Sequence, residues 1–190
     1  MLKTLIRVLR VISLAILCTG SAGFVYAAMT GVGVAQQHGV PIAQAAAANA
    51  PVFVEYGKAA LVLSIFLIFV EFLDFVVDRK VDFARKLRYA SSATCFIAAA
   101  ILGLVIVPRM NELLPDIGTT EEAHAAFQQL HTQSRVCVGA MILFAFASIA
   151  IPLVNSFYEL RLEEAEATGQ TPEKIAEKSE EKAEEGSKSS

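Results

Sequence analysis

The chain has 190 residues, 55% of them hydrophobic, and a formal net charge of −3. Ordinary soluble domains are about 45–50% apolar, and here the excess is gathered into blocks. Those blocks exclude a soluble domain of useful size. No basic patch with interleaved aromatics exists, so nucleic acid is not a predicted partner.

A transmembrane helix needs about 20 mostly apolar residues. Four blocks qualify, at about 11–34, 59–77, 90–107 and 136–153. The predicted fold class is therefore an all-α membrane protein, a four-helix transmembrane bundle over residues 1–158. An acidic, mostly disordered cytoplasmic tail follows over 159–190. Cys18, Cys95 and Cys137 each fall inside a block, with no CxxC or Cys/His spacing. A disulfide framework or structural zinc site does not fit that pattern, and the cysteines read as small packing residues.

The first block follows Lys3, Arg7 and Arg10. Its start also resembles a signal peptide, with a basic n-region, an apolar h-region and a "VYA" before Ala28. Cleavage there would leave three spans, but the apolar character continues to Val34. Gly23, Ala27 and Gly31 stand four apart, a stripe that admits another helix closely. Residues 36–56 are Ala-rich with Pro41 and Pro51, and predict a short interfacial or re-entrant helix.

The second block carries "FVEFLDFVVD", which places Glu71, Asp74 and Asp78 on one helix face. An acid at mid-membrane costs about 2.5–3.5 kcal/mol on the insertion scale. Two readings follow. One is a proton or cation relay facing the bundle interior. The other is a cytoplasmic-end cluster paired with Arg85 or Arg88, which suits Asp74 better than the deeper Glu71.

The third block repeats the small-residue device with Ser91, Cys95, Ala99 and Gly103. Pro108 and Pro115 then punctuate its end. Thr119 with Glu122 forms a capping box, and Ala123, Phe127, Leu130, Ser134, Cys137 and Met141 share one face at helical spacing. One helix is therefore expected from Thr120 into the last span, its first turns lying outside as an interfacial extension. Those turns carry His124 and His131.

Adjacent ends of the last two spans gather a polar cluster: Arg109, Glu112, His131, Ser134 and Arg135, with Glu55, Tyr56 and His124 nearby. His131 reads as a positioning residue, hydrogen-bonded near Arg109 or Glu112. The competing reading is a metal ligand. His124 and His131 are seven residues and about 10 Å apart along a helix, so a third ligand such as His38 would be required. No metal is predicted.

Lys and Arg set orientation. Thirteen lie before the first block, between the second and third, and after the fourth. Only Lys58, Arg109 and Arg135 lie on the opposite side. Both termini are predicted to be cytoplasmic, in a bacterial inner membrane. The tail from Glu159 carries −5 and pairs Lys174, Lys178 and Lys182 with Glu177, Glu181 and Glu185. Almost nothing in it can be buried, so a frayed helix or disorder is expected.

"RYASSATCFIAAAILGLVIVPRMNELL" and "AFQQLHTQSRVCVGAMILF" resemble the transmembrane protein 205-like family, also called domain of unknown function 4149. The resemblance covers about 85–153 and rests on Arg88, Pro108, Arg109, Phe127, Leu130, His131 and Ser134. It implies a four-helix membrane protein without an established reaction; the association of vertebrate members with resistance to metal-containing drugs hints at transport or trafficking. From the residues themselves no Ser/His/Asp constellation, phosphate loop or cofactor fingerprint emerges, so neither an enzyme nor a cofactor is predicted. The expected role is a scaffold, an accessory subunit or a small-solute permeation element. Its partners would be the bilayer and a membrane protein or second copy met through the stripes. The alternative is a metal- or proton-handling transporter using His131 and Glu71.

Overall fold

The computed structural model describes residues 1–79, 82–116 and 120–168. Among these residues all regular structure is helical: α1 (Leu2–Gln37), α2 (Ile42–Val77), α3 (Phe83–Ile101), α4 (Val107–Leu113) and α5 (Glu121–Thr168). A π-helical turn, Leu102–Ile106, joins α3 to α4, and a 3-10 turn, Leu114–Asp116, ends α4. The chain divides into two compact units, Met1–Ile149 and Ala150–Ser190. The second is described as far as Thr168; there Asn155 donates to Glu159 at 2.8 Å on an exposed face. The disorder predicted for the tail beyond 168 lies outside the described residues.

Among the described residues four helices are long and apolar enough to cross a membrane: Leu2–Gln37, Pro51–Val77, Phe83–Asp116 and Glu121–Glu163. Each predicted block lies inside one of them. The first unit points large apolar side chains outward all round, among them Ile16, Val62, Phe69, Phe72, Ile97, Leu104 and Leu143. Water would penalise such a surface, whereas hydrocarbon would not.

Local chemistry explains most element ends. Gly39, with φ of 76°, turns the chain between α1 and α2, a conformation that a Cβ disfavours. The Asp82 side chain accepts from Arg85 N–H at 2.7 Å and caps α3. Thr120 Oγ1 accepts from Ala123 N–H at 3.2 Å and caps α5. The cap was expected one residue earlier, at Thr119, which lies outside the described residues. The expected short helix in 36–56 is instead continuous with the second span. Alanines at 43, 45–48 and 50 are strong helix formers, and Pro51 is accommodated inside α2.

The core runs along matching stripes. On α1 it takes Ile6, Arg10, Leu14, Leu17 and Ser21; on α2 Ala60, Ser64, Leu67, Glu71 and Asp74; on α3 and the turn after it Arg88, Ser92, Cys95, Ala99 and Leu102. These spacings of three and four put each set on one helix face. Within the first unit α5 closes the bundle: Cys95 Sγ donates to Met141 O at 3.8 Å, and Cys18 Sγ to Ile142 O at 3.9 Å. All three cysteines are free thiols. The π-helical turn after α3 meets α2 closely through glycine: a Cβ on Gly103 would stand 3.0 Å from the Gly57 carbonyl oxygen.

Candidate functional site

Chemistry-bearing side chains gather in two places in the first unit, far apart along the helices. The first is a buried charge cluster. Arg88 Nη2 donates to Glu71 Oε2 at 2.9 Å and also to Asp74 Oδ2. Arg10 Nη1 meets Asp74 Oδ2 in an ion contact at 3.6 Å. Ser92 Oγ donates to the other Glu71 oxygen at 2.9 Å and lies 3.3 Å from Ser148 Oγ. Tyr89 O–H reaches Asp74 at 3.3 Å, and the Arg88 guanidinium lies over the Tyr89 ring. The four charged side chains are 5–9% exposed.

Two positive and two negative groups thus cancel inside the bundle, and every spanning element of the first unit contributes to the network. In a low-dielectric interior such a set is tolerable only when paired and hydrogen-bonded. Of the two readings of the acids, pairing describes both: Asp74 with Arg88 and Arg10, and Glu71 with Arg88. In the sequence alone Arg10 counts as a topology signal. Its place at four-residue spacing from Ile6 and Leu14 marks it as a core residue. Outside the cluster, Asp78 at the end of α2 binds Arg85 at 2.7 Å and Lys3 at 3.3 Å. The Arg85 guanidinium, helped by Lys3, holds the Asp78 carboxyl well below the usual carboxylate range.

The second place is a cavity of about 370 Å³ near the other end. It lies between Ala28–Gln36 on α1, Asn49–Val54 on α2, Val107–Leu114, and Phe127–His131 on α5. His131 belongs here. Its ring lies 6.2 Å from Phe53 and 6.4 Å from Phe127, centroid to centroid. Phe53 meets Phe24 edge-on, and Phe24 stacks on Tyr56, whose hydroxyl donates to Ser21 at 2.6 Å. A ladder of rings therefore joins α1, α2 and α5.

The predicted polar cluster is split by this geometry. Arg109 and Glu112 line a separate cleft with Gln129 and Gln133. Ser134 is buried and donates back to the His131 carbonyl at 2.7 Å. Arg135 is exposed. Among the described residues the His131 ring makes apolar ring contacts instead of the predicted hydrogen bond near Arg109 or Glu112.

The cause is the π-helical turn. Arg109 stands seven residues after Leu102, so an unbroken α-helix would put both on the core face. Instead Leu102, Ile106, Val107 and Met110 are buried and Arg109 is exposed. The Val107 N–H bonds to the Leu102 carbonyl, five residues back. One residue has been inserted into the turn, which advances the buried face by one position. Pro108 accounts for it: in a regular helix its ring would strike the carbonyl four residues earlier, and the wider turn removes that clash. Proline within an apolar run was the visible signal. In the sequence it marks a helix end, whereas the chain continues helically to Asp116.

Among the described residues no group of three or more His, Cys, Asp or Glu side chains is gathered as a metal ion would require. No protein-family model, curated protein or solved structure matches this chain.

Proposed function

We propose that this is a four-span protein of the bacterial inner membrane, with both termini cytoplasmic, acting as a scaffold or accessory subunit. One observation carries the reading. The intramembrane acids are neutralised by buried arginines on neighbouring helices, so the cluster is built to hold helices together. The thirteen-to-three bias of Lys and Arg supports the orientation. The resemblance of residues 85–153 to the transmembrane protein 205-like family points the same way.

The relay reading has less support. His131 packs on Phe53, which precedes Glu71 by 18 residues, about 27 Å along α2. The two residues thus belong to different sites. The small-residue stripes also differ in use. Ser91, Cys95 and Ala99 are buried within the bundle, and Gly103 meets Gly57. Gly23 and Ala27 are exposed, and nothing lies within 4 Å of where a Gly23 Cβ would be. That face of α1 suits a helix of a membrane-protein partner or a second copy.

A reporter fused after Ser190 should read cytoplasmic, and one inserted near Gly118 external. In proteoliposomes the protein should conduct neither protons nor divalent cations above empty vesicles. Gly23→Leu with Ala27→Leu should dissociate any complex isolated from native membrane. Ion flux that Glu71→Gln abolishes would reverse the assignment.

A further inference from the structure

We propose that the cavity beside His131 is a binding site for an uncharged amphiphile, one with an apolar body and a carbonyl- or hydroxyl-bearing head. This goes beyond the scaffold reading and does not depend on it.

The volume, about 370 Å³, falls within the range of small-molecule sites, about 300–1,000 Å³. The walls are Met29, Val32, Val54, Met110 and Phe127, which suit an acyl chain or other hydrocarbon body. The polar groups are carboxamides on Gln36, Asn49, Asn111 and Gln128, together with the His131 imidazole. Each carboxamide offers both donors and an acceptor, the complement of a carbonyl or hydroxyl head. Among the described residues no Lys, Arg, Asp or Glu lines the cavity, so an ionised head would be desolvated there without a counter-charge.

That neutrality is produced by the fold. In a regular helix Arg109 would share the core face with Leu102. The inserted residue in Leu102–Ile106 turns Arg109 into the neighbouring cleft and gives the cavity Met110 and Asn111. π-helical turns are frequent at functional sites. This one exchanges a cation for a neutral amide on the cavity wall.

The test uses the full chain in lipid nanodiscs and a diazirine-bearing analogue of monodecanoylglycerol, with labelled residues mapped by mass spectrometry. Labelling should saturate and fall on residues 28–36 and 107–114. Excess monodecanoylglycerol should displace it, while ionised decanoate and decane, which keep the tail but change or remove the head, should compete at least tenfold less well. Asn111→Leu, at an exposed position, should weaken binding about five- to tenfold, the loss of one neutral hydrogen bond. Val32→Phe, which fills the wall, should abolish saturable labelling. Non-saturating labelling centred on outward residues such as Phe69, Phe72 and Leu143 would mean bulk lipid only and overturn the proposal. So would equal competition by decanoate, or unchanged affinity in a folded Asn111→Leu variant.

Discussion

Arg88 and Glu71, seventeen residues apart on α3 and α2, meet at 2.9 Å with side chains each 6% exposed. A buried pair of this kind has an asymmetric energetic meaning. Forming it from two solvated ions gains little, while removing one partner strands a charge and costs about 3–5 kcal/mol. Arg88 also holds Asp74, so its loss leaves two carboxylates facing Arg10 alone. Arg88→Met should therefore destabilise the folded protein by about 3–5 kcal/mol, measured by reversible denaturation in detergent. Arg88→Met combined with Glu71→Met should cost clearly less than the two single changes added together. Additive costs would show that the pair is not energetically coupled.

Gly103, in the π-helical turn after α3, packs closely against Gly57 on α2. A Cβ there would press on the Gly57 backbone at 3.0 Å, and backbone cannot rotate aside as a side chain can. Gly103→Val should force the helices apart and lower stability by about 1–3 kcal/mol, the usual cost of overpacking. Gly23→Val, where the added carbon meets nothing within 4 Å among the described residues, should leave the isolated protein's melting temperature unchanged. Equal losses at the two positions would contradict this placement of the crossing.

Much of this architecture was legible in the sequence. Four apolar blocks mark the helices, and Glu71 and Asp74 stand out because acids are costly there. The partners were harder to see. Arg10 sits in a basic N-terminal segment where a topology signal is the ready explanation, and only its register with Leu14 and Leu17 shows that it turns inward. An unbroken helical period through Pro108 would place Arg109 beside His131. A single inserted residue rotates all that follows by about 100°, enough to move a charge from one cleft to another. Hydrophobic periodicity does not register such an insertion when the residues around it, Leu104 and Val105, are apolar whichever way they face.

Asp78 allows a prediction about pH. Its hydrogen-bonded pair with Arg85, reinforced by Lys3, lowers its carboxyl below the unfolded value of about 3.9. A depressed carboxylate stabilises the fold above its unfolded pKa and loses that contribution as pH falls through the folded value. The Asp78 contribution should therefore be constant from neutral pH to about pH 5 and decline below about pH 4. Asp78→Asn should lower stability at neutral pH and flatten the acid limb of the stability curve. Melting temperatures of the two proteins between pH 7 and pH 3 provide the check, and parallel curves throughout would exclude the assignment.

The π-helical turn yields the sharpest test because it predicts that a deletion is tolerated. If Leu102–Ile106 holds one residue more than an α-helix needs, removing one outward residue there restores a regular turn. Val105 is 45% exposed. Without it, Leu102 and the residue now numbered Ile106 are three apart, and Met110 and Asn111 keep their places on the cavity wall. Deleting Ile97, an outward residue on α3 at 54% exposure, has the opposite effect. No slack exists there, so either Arg88, Ser92 and Cys95 or everything beyond Ala98 turns by about 100° out of register. The Val105 deletion, combined with Pro108→Ala to remove the ring that would strike the restored regular turn, should fold, insert and melt within a few degrees of the parent. The Ile97 deletion should fail to give a folded monodisperse protein. Comparable damage from both deletions would mean that the turn is not an insertion, and that another force turns Arg109 away from His131.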